Sequence, residues 1–87
     1  MSVNFKSGGS VTLSEEQILA LHQKLRNMRH DVNGRLANII AAAELMRMRP
    51  ESAAQRLQIL LEQPHQAAES IAEFSREFEA QFGLLRE

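Results

Sequence analysis

The 87-residue chain contains no cysteine. Disulfides, thiol nucleophiles and Cys-ligated zinc are therefore excluded. Trp and Tyr are also absent, and three of the four phenylalanines (Phe74, Phe78, Phe82) lie near the C-terminal end. That leaves no aromatic platform on which bases could stack. Neither sign of charge dominates, with ten Lys and Arg against eleven Asp and Glu and a net charge of -1. A chain near neutrality has no general attraction to nucleic acid or to an anionic membrane. No apolar run approaches the roughly 18 residues of a membrane span. The opening MSVNFKSGGS lacks a signal-type apolar stretch, so no membrane insertion and a cytoplasmic location are the expectations. Only two prolines and four glycines punctuate the sequence. Between them run long stretches of Ala, Leu, Glu, Gln, Arg and Met, all good helix formers. With 44% hydrophobic and 24% charged residues, the composition is that of one small globular domain.

Residues 1–11 read as a flexible tail, with Lys6-Ser7-Gly8-Gly9-Ser10 as its most mobile composition. A helix start follows. Thr12 precedes Glu15 by three residues and Ser14 precedes Gln17 by three, so either pair suits a capping box. Apolar residues then recur at Ile18, Leu21, Leu25, Met28, Val32, Leu36, Ile39, Ala43 and Met46. Spacings of three and four predict a helix over about 13–48, stopped by Pro50. A second stripe, Leu57, Leu61, Pro64, Ala68, Ile71, Phe74, Phe78, Phe82 and Leu85, predicts a helix over about 51–85, kinked near Pro64.

Two helices of roughly 35 residues, each about 50 Å long, joined by a very short turn must lie antiparallel. Residue i of the first then faces about residue 99 minus i of the second, which sets His30 level with about Glu69. A lone hairpin covers one side of each helix, and Ile40, Leu45, Leu60 and Leu84 widen the apolar stripe. The expected architecture is all-α: an antiparallel two-helix hairpin that homodimerises into a four-helix bundle.

The stretch Met28-Arg29-His30-Asp31-Val32-Asn33-Gly34-Arg35-Leu36 carries the chemistry. His30 lies two residues from both Met28 and Val32, roughly 200° around the helix from each, and so points away from the core. Asp31 is beside it, Gly34 interrupts the helix, and Arg26, Arg29 and Arg35 are near. A nucleophilic imidazole, a carboxylate and cations that can meet phosphate oxygens form a phosphoryl-acceptor set.

His30-Asp31-Val32-Asn33-Gly34-Arg35-Leu36 resembles the H-box of two-component sensor histidine kinases: His, an acid, an aliphatic residue, a polar residue, Thr or Asn, often Pro, then Leu. Ala37-Asn38-Ile39-Ile40 and the following residues resemble the continuation of that box, and Ile71-Ala72-Glu73-Phe74-Ser75-Arg76 resembles the ending of the same domain. The resemblance spans about residues 14–80 and is to the dimerisation and histidine-phosphotransfer domain. It implies that His30 accepts and donates a phosphoryl group and that Asp31 takes up its proton. It also implies a response-regulator receiver domain as partner, carrying the Mg²⁺, while this chain binds no cofactor or metal itself. A receiver would dock beside His30 toward the turn, on Asn27, Gly34, Ala37, Asn38 and Ala41, where small residues leave a shallow lane. Gly34 replaces the usual Thr or Asn, which puts phosphatase activity in doubt, and Arg35 replaces the frequent Pro. The Gly-rich boxes of an ATP-binding domain do not occur in the chain. It is therefore expected to lack autonomous kinase activity and to be either a free-standing phosphotransfer protein or a piece of a longer kinase, with a separate kinase ATP-binding domain as one candidate partner beside the receiver.

The other histidines, His22 and His65, have no metal-like partner at i+4 and read as surface residues. The Lys24, Arg26, Arg29, Arg35 cluster lacks interleaved aromatics and reads as a solvated face rather than a nucleic-acid site. The alternative to phosphotransfer is a non-catalytic helical adaptor or inhibitor that binds a kinase or receiver through the same bundle surface.

Overall fold

The computed structural model describes residues 2–4 and 10–82, with side chains from Thr12 to Phe82. A 34-residue helix, α1 (Glu15–Met48), is followed by a single 3₁₀ turn (Pro50–Ser52) and a 30-residue helix, α2 (Ala53–Phe82). The two helices pack as an antiparallel hairpin. Two three-residue strands, β1 (Ser2–Asn4) and β2 (Ser10–Thr12), pair antiparallel ahead of α1 with Val3 opposite Val11. All but Thr12 of these residues fall within the stretch read from sequence as a tail, while Phe5 to Gly9 lie outside the described residues. None of the described helices is long and apolar enough to cross a membrane.

Of the two candidate boxes at the start of α1, the one that forms is Ser14 with Gln17. Gln17 N–H donates to Ser14 Oγ at 3.1 Å, and Ser14 N–H donates to Gln17 Oε1 at 2.8 Å. Two donors that the first turn would otherwise leave unpaired are thus satisfied. Buried Leu13 and half-buried Ile18 hold the positions of a hydrophobic staple around this cap. Glu15 and Glu16 in the first turn suit the dipole. At the other end Arg49 N–H donates to the Leu45 carbonyl at 2.8 Å. Pro50 then opens the 3₁₀ turn, where its fixed φ is tolerated.

The kink expected at Pro64 does not divide α2, which runs unbroken through it. The missing N–H deprives only the Leu60 carbonyl of its helical donor, and strong helix formers flank the site. The predicted end at residue 85 lies outside the described residues.

The seam differs from the expected one in a way that matters. On α1 the covered positions are Leu21, Leu25, Met28, Val32, Arg35, Ile39, Ala42 and Met46, a heptad pattern that passes through Arg35 and Ala42. Leu36 and Ala43, placed in the seam by sequence, are exposed. On α2 the residues toward α1 include Arg56, Leu60, Gln63, Ala67, Ser70 and Phe74. Leu57, Leu61, Pro64, Ala68 and Ile71 face out. The physical reason is geometric. Each helix has one neighbour, and a stripe wider than about 100° cannot all meet it.

The result is a slab. Its extents are 57 × 27 × 13 Å, so it is about one helix thick. Its radius of gyration is 18.4 Å, against about 12 Å for a compact domain of this length. Among the described residues only Leu13, Ala42 and Ala67 are buried, and no large side chain is fully enclosed. Leu36 and Ile40 on α1 and Leu57, Leu61 and Ile71 on α2 are between 46% and 64% exposed. At about 100° per residue these five fall on one side of the hairpin.

Candidate functional site: an exposed histidine beside a polar ladder

His30 is exposed near the middle of α1, about 140° around the helix from Arg35 and so turned away from α2. Among the described residues it makes no hydrogen bond or ion pair. His22 and His65 are also exposed, so exposure alone does not single His30 out. What lies around it does. Arg26 stands four residues before His30 on the same face. It is exposed and free of a partner among the described residues. Gly34, Ala37 and Ala41 continue that face toward the turn, and all three are exposed. A Cβ built on Gly34 would meet nothing within 4 Å. The lane of small residues read from sequence is therefore open along its length. Asn27 and Asn38 border it, each already holding one hydrogen bond: Asn27 Oδ1 accepts from Gln23 at 2.9 Å and Asn38 Nδ2 donates to Gln63 Oε1 at 3.2 Å.

Asp31 and Arg35 stand beside His30 in sequence but on other faces of α1. Neither joins the exposed face of His30. Asp31 is half-buried against α2, and its Oδ2 accepts from the Ser70 hydroxyl and from Arg35 Nε at 3.3 Å. Arg35 also donates from Nη1 to Gln66 Oε1 and, at 3.4 Å, to Gln63 Oε1. Of the three arginines expected to meet phosphate oxygens, Arg26 and Arg29 remain on the exposed surface, whereas Arg35 is occupied between the helices. The Ser70 hydroxyl holds the Asp31 carboxyl below its ordinary value of 3.8. Partial desolvation opposes this, and the charges of Arg35 and His30 add to the lowering.

These contacts belong to a ladder. Lys24, Asp31, Asn38 and Leu45 are seven residues apart on α1, and Glu77, Ser70, Gln63 and Arg56 are seven apart on α2. Lys24 Nζ lies 3.9 Å from Glu77 Oε2, Asp31 meets Ser70, and Asn38 meets Gln63. The register agrees with the sequence estimate to within two residues. Two clefts open along this side. One, of about 380 Å³, lies between Lys24, Asp31, Ser70 and Phe74; the other, of about 220 Å³, lies between Ala41, Leu45, Arg56 and Gln63. The exposed row of Leu36, Ile40, Leu57, Leu61 and Ile71 occupies the opposite side of the seam.

Sequence reasoning missed Ser70, Gln63, Gln66 and Arg56. A signal was present: Arg56, Gln63, Ser70 and Glu77 form a polar heptad of their own. The stronger apolar stripe one position further on masked it. No cluster of three His, Asp or Glu able to hold a metal ion occurs among the described residues. No protein-family model matches the chain, and no curated protein or solved structure matches it either.

Proposed function

We propose that the chain is a histidine phosphotransfer domain that works as a homodimeric four-helix bundle. It passes a phosphoryl group between His30 and an aspartate of a receiver domain. The observation that carries this reading is the placing of His30. It is an unengaged imidazole on an open face, with an exposed cation one turn before it and a lane of small residues one turn after it.

In the transfer, a neutral imidazole nitrogen attacks phosphorus. The bond to the donor aspartate oxygen breaks and the donor leaves as a carboxylate. The ring is cationic until its remaining N–H proton passes to solvent, to which His30 is exposed, and the reverse step, with the proton regained, restores the aspartyl phosphate. Positioning and charge stabilisation suffice for this chemistry. Asp31 serves as a fixed negative charge that steadies the cationic ring, since its lowered pKa makes it a weak base. Arg26 supplies positive charge to the phosphoryl oxygens.

Dimerisation is supported by the slab's thickness and by the one-sided row of Leu36, Ile40, Leu57, Leu61 and Ile71. A patch of that kind on so thin a fold calls for a cover, and a second copy offers the same row in return. His30 stays outside such an interface.

A second reading, the non-catalytic adaptor or inhibitor, draws on the clefts along the ladder, which suit a partner helix with no chemistry at His30. Transfer from a phosphorylated receiver domain separates the two. His30→Gln abolishes transfer and keeps partner binding if phosphotransfer is the function. A wild-type chain that binds a receiver without exchanging phosphoryl groups is an adaptor.

A further inference from the structure

Three rungs of the ladder are polar on both helices; the fourth is not. Opposite Arg56 in the heptad register stands Leu45, and both line the 220 Å³ cleft nearest the turn. Arg35 and Arg56 are the two half-buried cations among the described residues. Arg35 has Asp31 and two glutamines. Among the described residues Arg56 has no hydrogen bond or ion pair, and its Nε is closed off from solvent without an acceptor. Arginine does not shed its proton in proteins, and a buried N–H without an acceptor is costly. The residues one helical turn from it, Ser52, Ala53, Ile59 and Leu60, carry no acid.

We infer that this cleft receives a partner protein's helix that carries one carboxylate on an apolar face, with the carboxylate seated on Arg56. A single guanidinium matches the charge and fork of a carboxylate, whereas a phosphate dianion would call for more than one cation. The rest of the cleft agrees. Ala41, Leu45 and Ile59 offer an apolar floor for the side-chain stem. Gln63 Oε1 is taken up by Arg35 and Asn38, which leaves its amide N–H groups free to donate. A groove between two antiparallel helices takes a third helix through its apolar face. The cleft lies across the seam from the apolar row, so a dimer formed through that row leaves it open. The inference rests on the reading that a partner docks along the Asn38 and Ala41 lane; it does not need phosphoryl transfer.

The test uses the full unphosphorylated chain and a capped helical peptide with a central glutamate on an alanine–leucine face, beside its glutamine twin. Binding is followed by the arginine Nε–H resonances and by calorimetry. The glutamate peptide is expected to bind about tenfold or more tightly than its twin, a ratio typical of a charge-assisted bond, and to shift the Arg56 signal. Arg56→Gln removes the preference. Leu45→Glu, which supplies the missing acid from within, removes it as well. The same results with His30→Gln show that docking and phosphotransfer stand or fall separately. Equal binding of the two peptides, binding of neither, or a glutamate preference that survives Arg56→Gln overturns the inference. So does an Arg56 shift produced by inorganic phosphate at lower concentration than by the glutamate peptide.

Discussion

The Ser70 hydroxyl on α2 donates to Asp31 Oδ2 on α1, joining residues 39 positions apart at the level of the exposed histidine. The acidic neighbour of His30 is therefore held by the other helix. Its charge is fixed in place by the hairpin itself.

That bond ties stability to acid. The folded-state pKa of Asp31 is lowered, so its contribution is fully present above the unfolded value of about 3.9. The contribution is lost as pH falls through the lower folded value. Ser70→Ala and Asp31→Asn should each flatten this dependence and lower stability at pH 7. Urea denaturation of wild type and both variants between pH 7 and pH 3 checks the expectation. A wild-type loss in acid that both variants reproduce in full would contradict it.

Gly34 lies inside α1, and a Cβ there meets open space. Gly34→Ala should stabilise the chain by about 0.5–1 kcal/mol, since alanine loses less backbone freedom on folding. A shifted urea midpoint with unchanged slope is the expected result. A loss of stability would mean that the site is closed by a contact present in solution.

The capping box predicts a loss in the other direction. Ser14→Ala removes the acceptor for Gln17 N–H and should cost about 1 kcal/mol. Ser14→Asp should restore most of it, because aspartate caps as well as serine.

The exposed row predicts the assembly. Wild type should sediment at twice its chain mass at micromolar concentration. Ile40→Glu combined with Leu61→Glu, which places charge in the row from both helices, should sediment as a single chain with reduced helicity. A wild-type monomer that is fully folded would remove the bundle from the account.

The extent of α1, the short turn, the antiparallel register and the outward His30 could all be read from spacing. They follow from local signals: the cap at Ser14, the stop at Pro50 and the three-and-four repeat. The seam could not be read in the same way. Hydropathy ranks Leu57, Leu61 and Ile71 above Arg56, Gln63 and Ser70 as core residues, yet the polar set faces α1. Periodicity reports that a helix has an apolar face but not which neighbour covers it. A chain with two faces to satisfy, one toward α1 and one left bare, shows both as a single broad stripe. The partners of Asp31 and Arg35 were not legible for the same reason: beside His30 in sequence, the two turn about 100° and 140° away from it around the helix, toward α2.

Phosphorylation of His30 is the central claim, and mass spectrometry tests it most directly. The chain would be exposed to phosphoramidate, then to a phosphorylated receiver domain, and kept at neutral to basic pH because phosphohistidine is acid-labile. The account predicts one acid-labile phosphoryl group per chain, located on His30, absent from His30→Gln and passed on to a receiver. Labelling spread evenly over His22, His30 and His65, or no labelling of a folded dimer, would contradict it.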